Sequence, residues 1–224
     1  MKRLPIIAAL LLAGCSERAA KQADKQEQES KQEDNRTPEE LRAAIGVAMK
    51  AEDFSSAEAA LTSLIGKNPT DYETLAGRAT VRVFLGDAAG AAKDFDEVIK
   101  IHGEKGNKLK FFVADRALWK AREFDMKKRY PEALKVYGVL LTLYPQSGMA
   151  YHDRGGLRTS MGDFDGAIDD LTKAIEFDDG NNAAGDSYIL RARAKRAKGD
   201  EEGAKDDEAK ANEVAEAFGR STDR

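Results

Sequence analysis

The stretch MGDFDGAIDDLTKAIEF, Met161 to Phe177, is written nearly a second time as LGDAAGAAKDFDEVIKI, Leu85 to Ile101. Each version sets a Gly-Asp pair before a run whose apolar residues return every three or four positions, the pattern of an amphipathic helix entered from a turn. The alanine that follows the turn recurs as Ala57, Ala91, Ala133, Ala167 and Ala204, at spacings of 34, 42, 34 and 37 residues. A chain that repeats at such a period is built of helix-turn-helix packing units, and its fold is decided by how they stack.

Thirty-four residues is the period of the tetratricopeptide repeat. The chain resembles that family across nearly all of residues 37–224, in units starting near Pro38, Tyr72, Ala114, Gly148 and Gly185. The fourth position, where the family prefers Trp, carries Leu41, Leu75, Ala117, Tyr151 and Tyr188, and the small-residue eighth position carries Ile45, Ala79, Ala121, Gly155 and Ala192. Four residues after the alanine, at the family's aromatic site, stand Leu61, Phe95, Tyr137, Leu171 and Glu208. The closing proline appears as Pro69 and Pro145, while Gly103 and Asp179 occupy its place in the second and fourth units. The resemblance implies an all-α, right-handed solenoid of about five units, whose first helices line a concave face that binds protein or peptide partners.

The physical reason for the repeat is close packing. Antiparallel helices approach only where small residues sit at their crossing, and a Gly-acid turn stops one helix and caps the next. Two further rows rise and fall together. Arg78, Arg154 and Arg191 at the seventh position accompany Asp94, Asp170 and Asp207 at the twenty-third, whereas Ala44 and Lys120 accompany Ala60 and Val136. That pattern predicts bidentate Arg-carboxylate contacts within or between units. The last helix keeps only a narrow stripe of Ala204, Ala211, Val214 and Phe218 and reads as a cap. The extra residues before the third unit, HGEKGNKLK from His102 to Lys110, predict a loop or an extended helix end that could act as a hinge. Trp119, Phe111, Phe112 and Phe124 form the densest aromatic patch. These side chains are expected to fill the wider gap beneath the insertion, with a partly exposed partner-binding patch as the alternative.

The N-terminus adds a location. Two basic residues, Lys2 and Arg3, precede an apolar run from Leu4 to Ala13, which is a secretory signal too short to span a bilayer. Leu12-Ala13-Gly14-Cys15 resembles the lipobox of bacterial lipoproteins, and the resemblance implies cleavage before Cys15, acylation of that residue and anchoring to a membrane without spanning it. Ser16 resembles the sorting residue of outer-membrane lipoproteins. The expected organisation is a signal peptide over 1–14, the lipidated Cys15 with a flexible tether over 15–36, and the repeat domain over 37–224. Processing removes two of the 36 basic residues and none of the 40 acidic ones, which leaves a formal charge of −6. Mild acidity argues against nucleic-acid partners.

No catalytic constellation is expected. His102 and His152 lack metal-ligand spacing, the acids around Asp163 lack the calcium-loop pattern, and Gly66-Lys67 lacks the rest of a phosphate loop, so neither a cofactor nor a small-molecule substrate is expected. The family's concave positions here include Arg42, Lys50, Arg122, His152, Arg193 and Arg196, while Glu39, Glu73, Asp115 and Asp186 sit in first helical turns where the macrodipole favours acids. An extended, acidic or carboxylate-ended partner segment is therefore expected, held by Arg122, Arg193 and Arg196. The function expected is that of a non-catalytic scaffold at the bacterial envelope, on the outer membrane facing the periplasm. The alternative is an accessory factor of a cell-wall enzyme that recognises peptidoglycan.

Overall fold

The computed structural model describes residues 34–178 and 183–217. Cys15, the leader, most of the tether, Asp179 and Phe218 lie outside the described residues. Taken by itself, the segment 34–40 carries a capping box, in which the Thr37 amide donates to Glu40 Oε2 at 2.7 Å and the Glu40 amide donates to Thr37 Oγ1 at 3.2 Å.

The described residues form ten helices and no strand. In chain order they are α1 (Pro38–Lys50), α2 (Phe54–Lys67), α3 (Tyr72–Leu85), α4 (Ala88–His102), α5 (Glu104–Met126), α6 (Tyr130–Leu143), α7 (Gly148–Met161), α8 (Phe164–Glu176), α9 (Ala183–Ala197) and α10 (Glu201–Ala217). Successive pairs make the five units of an all-α solenoid. Each turn within a pair obeys the local chemistry of its residues. Gly86, Gly162 and Gly199 take left-handed φ values of 92°, 80° and 87°, and the aspartate that follows each one caps the next helix by accepting an amide hydrogen bond. The first and third units hold the same backbone without glycine, at Glu52 (φ 56°) and Lys128 (φ 59°).

The marker alanines Ala57, Ala91, Ala133, Ala167 and Ala204 are all completely buried, so the phase read from the sequence is the phase of the packing. Gly155 shows why the eighth position stays small: a Cβ there would lie 2.7 Å from Leu171 Cγ on the facing helix.

Two boundaries differ from the sequence reading. The fifth unit's first helix starts at Ala183 rather than near Gly185. The insertion before the third unit is an extended helix end, so α5 starts at Glu104 and runs 23 residues, against 13 to 15 in the other first helices. Gly103 alone joins α4 to α5, with φ 54° and ψ −123°, a conformation that favours glycine. One turn later Gly106 lies against the backbone of α4, where a Cβ would sit 2.8 Å from Ile99 Cα.

The paired Arg and Asp rows are in contact, within units. Arg78 donates twice to Asp94 (3.0 and 2.7 Å), Arg154 to Asp170 (2.8 and 2.7 Å) and Arg191 to Asp207 (2.9 and 2.7 Å). A second cation one helical turn on, Arg82, Arg158 or Lys195, reaches the same carboxylate at 2.8, 2.8 and 2.9 Å. It also donates to the carbonyl of Gly90, Gly166 or Gly203 in the facing helix. Burial by itself would push the Asp207 carboxyl up, yet the hydrogen bonds from Arg191 and Lys195 outweigh it and leave the group below its usual range.

Candidate partner-binding site

The third unit is where the surface departs from the pattern. On α5, Val113, Ala117, Ala121 and Phe124 are buried at helical spacing, while Phe111, Phe112, Trp119 and Met126 on the other side are 64, 56, 70 and 82 % exposed. These are four of the nine exposed large apolar side chains among the described residues. The expectation that this aromatic patch fills a gap beneath the insertion is therefore corrected for three of its four members; only Phe124 is core. The physical reason is that no gap remains, because the glycines at 103 and 106 let the added turns of α5 lie directly on α4.

Two hollows flank the exposed crest of α5. One, of about 640 Å³, is lined by Met49, Phe54, Phe84, Trp119 and Met126, drawn from the ends of α1, α3 and α5 and the start of α2. The other, of about 610 Å³, opens between α5, α6 and the start of α7 beside Phe111, Leu118, Leu143, Tyr144 and Met149. First helices thus line the larger hollow, as the repeat pattern implies.

Its rim is fixed by ion pairs. Glu52, held at its left-handed turn in the first unit, accepts hydrogen bonds from Lys120 Nζ (2.6 Å) and Arg129 in the third unit. Those two donors lower the Glu52 carboxyl to about 2. Lys120 and Arg129 also lie over the Phe124 ring, at 4.9 and 4.5 Å from its centroid. This strut is possible because the third unit has no aspartate to claim Lys120: Val136 stands at that place.

The cations expected to hold an acidic partner are mostly engaged already. Arg122 donates to both oxygens of Asp153 on α7, at 2.6 and 3.2 Å. Arg196 donates to Glu201 and Glu208 of its own unit, at 3.2 and 2.9 Å. His152 Nδ1 lies 2.8 Å from the hydroxyl of the buried Ser187. Arg42 has a partner as well, and among the described residues only Lys50 and Arg193 of the six stand exposed and outside any ion pair. Asp125, on the same helix as Arg122, has its carboxyl pushed up by burial and by the neighbouring Asp153. Two geometries account for the engaged side chains: Arg122 and His152 reach the next first helix, and Arg196 reaches the second helix of its own unit. The apolar lining residues Met49, Phe84 and Met126 occupy the twelfth and thirteenth positions of their units, so reading those columns for apolar as well as basic residues finds them.

Among the described residues no group of His, Cys, Asp and Glu could hold a metal ion. His102 stacks edge-on against Tyr72, with ring centroids 4.3 Å apart.

Helix pairs that recur at 34 to 42 residues, a buried alanine at the start of every second helix and a groove lined by first helices define a helical-repeat interaction module. Its fold is that of a tetratricopeptide repeat solenoid, and the chain is similar to proteins of that family. No family model matches it. Tetratricopeptide repeat protein 36 of Homo sapiens is 33% identical over 89 residues, which is 39% of this chain and 47% of that protein. Tetratricopeptide repeat protein 6 of Homo sapiens is 29% identical over 154 residues, 68% of this chain and 27% of that protein. The chain thus spans less than half the length of either relative. Among solved structures, BtubC (BKLC) from P. vanneervenii is 19% identical with a TM-score of 0.48, over 83% of this chain and 82% of that one. A crystal structure of MamA protein is 19% identical with a TM-score of 0.45, over 83% and 95%.

Proposed function

We propose that the protein is a lipid-anchored, non-catalytic scaffold of a bacterial cell envelope that holds a segment of a partner protein against α5. The observation that carries this reading is the exposure of Trp119 and Met126 over an apolar hollow of about 640 Å³. Apolar surface gathered in a recess and rimmed by charge is the signature of a binding site. The anchor rests on Leu12-Ala13-Gly14-Cys15, and the outer-membrane location on Ser16. Several acyl chains, each contributing about 0.8 kcal/mol per buried methylene, would make release from the membrane negligible. Of the cations first read as ligands, Lys50 and Arg193 are open to an acidic partner, while Arg122 and Arg196 would have to exchange Asp153 or Glu201 and Glu208 for it.

The test is fractionation of native envelopes with partner capture. The wild type is expected in the membrane fraction and Cys15→Ser in the soluble fraction or unprocessed. An unacylated mature wild-type protein would remove the anchor. A captured partner whose retention falls with Trp119→Ser supports the scaffold, whereas turnover of a peptide or glycan substrate by the purified chain contradicts it. Binding to purified sacculi with no protein captured points to peptidoglycan recognition instead.

A further inference from the structure

The two hollows beside α5 share one ridge. The larger hollow takes residues 116–126 of that helix and the smaller takes 111–118, with Trp119 at the edge of one and Phe111 at the edge of the other. A helix is roughly 10 Å wide and an extended chain advances about 3.3 Å per residue, so a strand crossing the ridge needs at least about three residues to reach from one hollow to the other.

The charges around the larger hollow are one-sided. Of the cations lining it, Lys120 is held by Glu52 and Glu123 and Arg122 by Asp153, which leaves Arg116 as the unclaimed one; the single acid in the lining, Glu123, is held by Lys120 at 3.0 Å and Lys127 at 2.5 Å. Arg116 is exposed, with its guanidinium 5.9 Å from the Phe112 ring centroid and no ion pair among the described residues. An arriving carboxylate meets an open guanidinium, and an arriving cation meets none of the opposite sign that is unclaimed. A second copy of the chain fits poorly. Outside the α5 region the exposed large apolar residues Val47, Tyr72, Met161 and Ile189 sit on four different helices, so no described segment other than α5 itself presents two such side chains together. A flat lipid surface does not reach the floor of a recess.

We infer that both hollows are filled by one extended partner segment bearing two large apolar side chains three or more residues apart, with a carboxylate next to the one that enters the Trp119–Met126 hollow. This rests on the scaffold reading and adds the partner's chemistry to it. The arrangement would select by spacing as well as by charge.

The test is selection of a random twelve-residue displayed peptide library on the full chain in mild detergent. Trp119, the only tryptophan, serves as the reporter. The expected consensus has two of Phe, Trp, Leu, Ile or Met separated by two to four residues, with Asp or Glu beside one of them. Its binding should move Trp119 emission to the blue and fall tenfold or more with Trp119→Ser and with Met149→Lys, on opposite sides of the ridge. Arg116→Glu should weaken it several-fold, less so at high salt. A basic consensus, a single apolar anchor, affinity unmoved by Met149→Lys, or no enrichment at all would overturn the inference. A concentration-dependent blue shift of the chain alone would assign the hollows to a second copy and overturn it too. If a partner is captured that does not respond to these variants, the scaffold reading survives without the paired hollows; if neither peptide nor partner binds, both fall.

Discussion

The second, fourth and fifth units fill one slot between their helices around a buried carboxylate, and the first and third fill the same slot without one. Arg154, Arg158 and Asp170 close the fourth unit with an aspartate side chain only 3% exposed. At the equivalent places the first unit has Ala44, Ala48 and Ala60, and the third has Lys120, Phe124 and Val136. The clamp is therefore one solution to closing a helix pair, not a requirement of the fold. A buried carboxylate with two cations and a carbonyl contact is satisfied as a set, and its desolvation cost makes it fragile to the loss of one member. The third unit, spared that arrangement, sends Lys120 to Glu52 and turns Phe111, Phe112 and Trp119 outward.

The largest effect should come from breaking one clamp. Asp170→Ala leaves the half-buried Arg154 without its carboxylate and Arg158 with only Asp163, 3.4 Å away, and should cost about 3 kcal/mol in chemical denaturation. Arg154→Lys with Arg158→Phe and Asp170→Val, which writes the third unit's residues into the fourth, should recover most of that loss. A double-mutant cycle on Arg154 and Asp170 should show coupling, and additive effects would mean the two solutions are not alternatives for one slot. Next in size, Ala167→Leu places extra methylenes at a crossing common to both kinds of unit and should cost roughly 1–3 kcal/mol.

Removing the strut should matter less. Glu52→Gln is expected to cost about 1–2 kcal/mol at neutral pH, a discounted value for a partly exposed group. The sign follows from the lowered carboxyl: the contribution is complete above the ordinary value of 4.5 and disappears as pH falls toward about 2. Wild type and variant should converge in stability near that pH, and a constant difference down to pH 2 would exclude an ionised Glu52 as the cause. The smallest change is a gain. Lys128→Gly relieves a left-handed φ of 59° and should stabilise by a few tenths of a kcal/mol to about 1, offset in part by the freer unfolded chain.

Much of this was legible in the sequence because it repeats. The five alanines, the Gly-Asp turns and the Arg-Asp rows each recur at the period, and recurrence separates a packing rule from chance. The second clamp cation was legible by the same logic, since Arg82, Arg158 and Lys195 appear where Asp94, Asp170 and Asp207 do, and Ala48 and Phe124 stand in their place elsewhere. What could not be read occurs once. The Glu52 strut joins side chains 68 and 77 residues apart, and the Arg122–Asp153 pair closes between neighbouring units, so neither leaves a periodic trace. Whether Trp119 is core or surface depended on how closely α5 lies on α4, which two glycines decide.

The clamped units close their own helix pairs with charge, and the proposed recognition falls to the unclamped third unit. The most direct test places a photocrosslinking amino acid at Met126 and, in a separate chain, at Ser160, the same position in the clamped fourth unit, and irradiates native membranes. Both sites are exposed. Capture of a partner from position 126 with little or none from 160 is the predicted result. Capture from 160 alone, or equally from both, would contradict it.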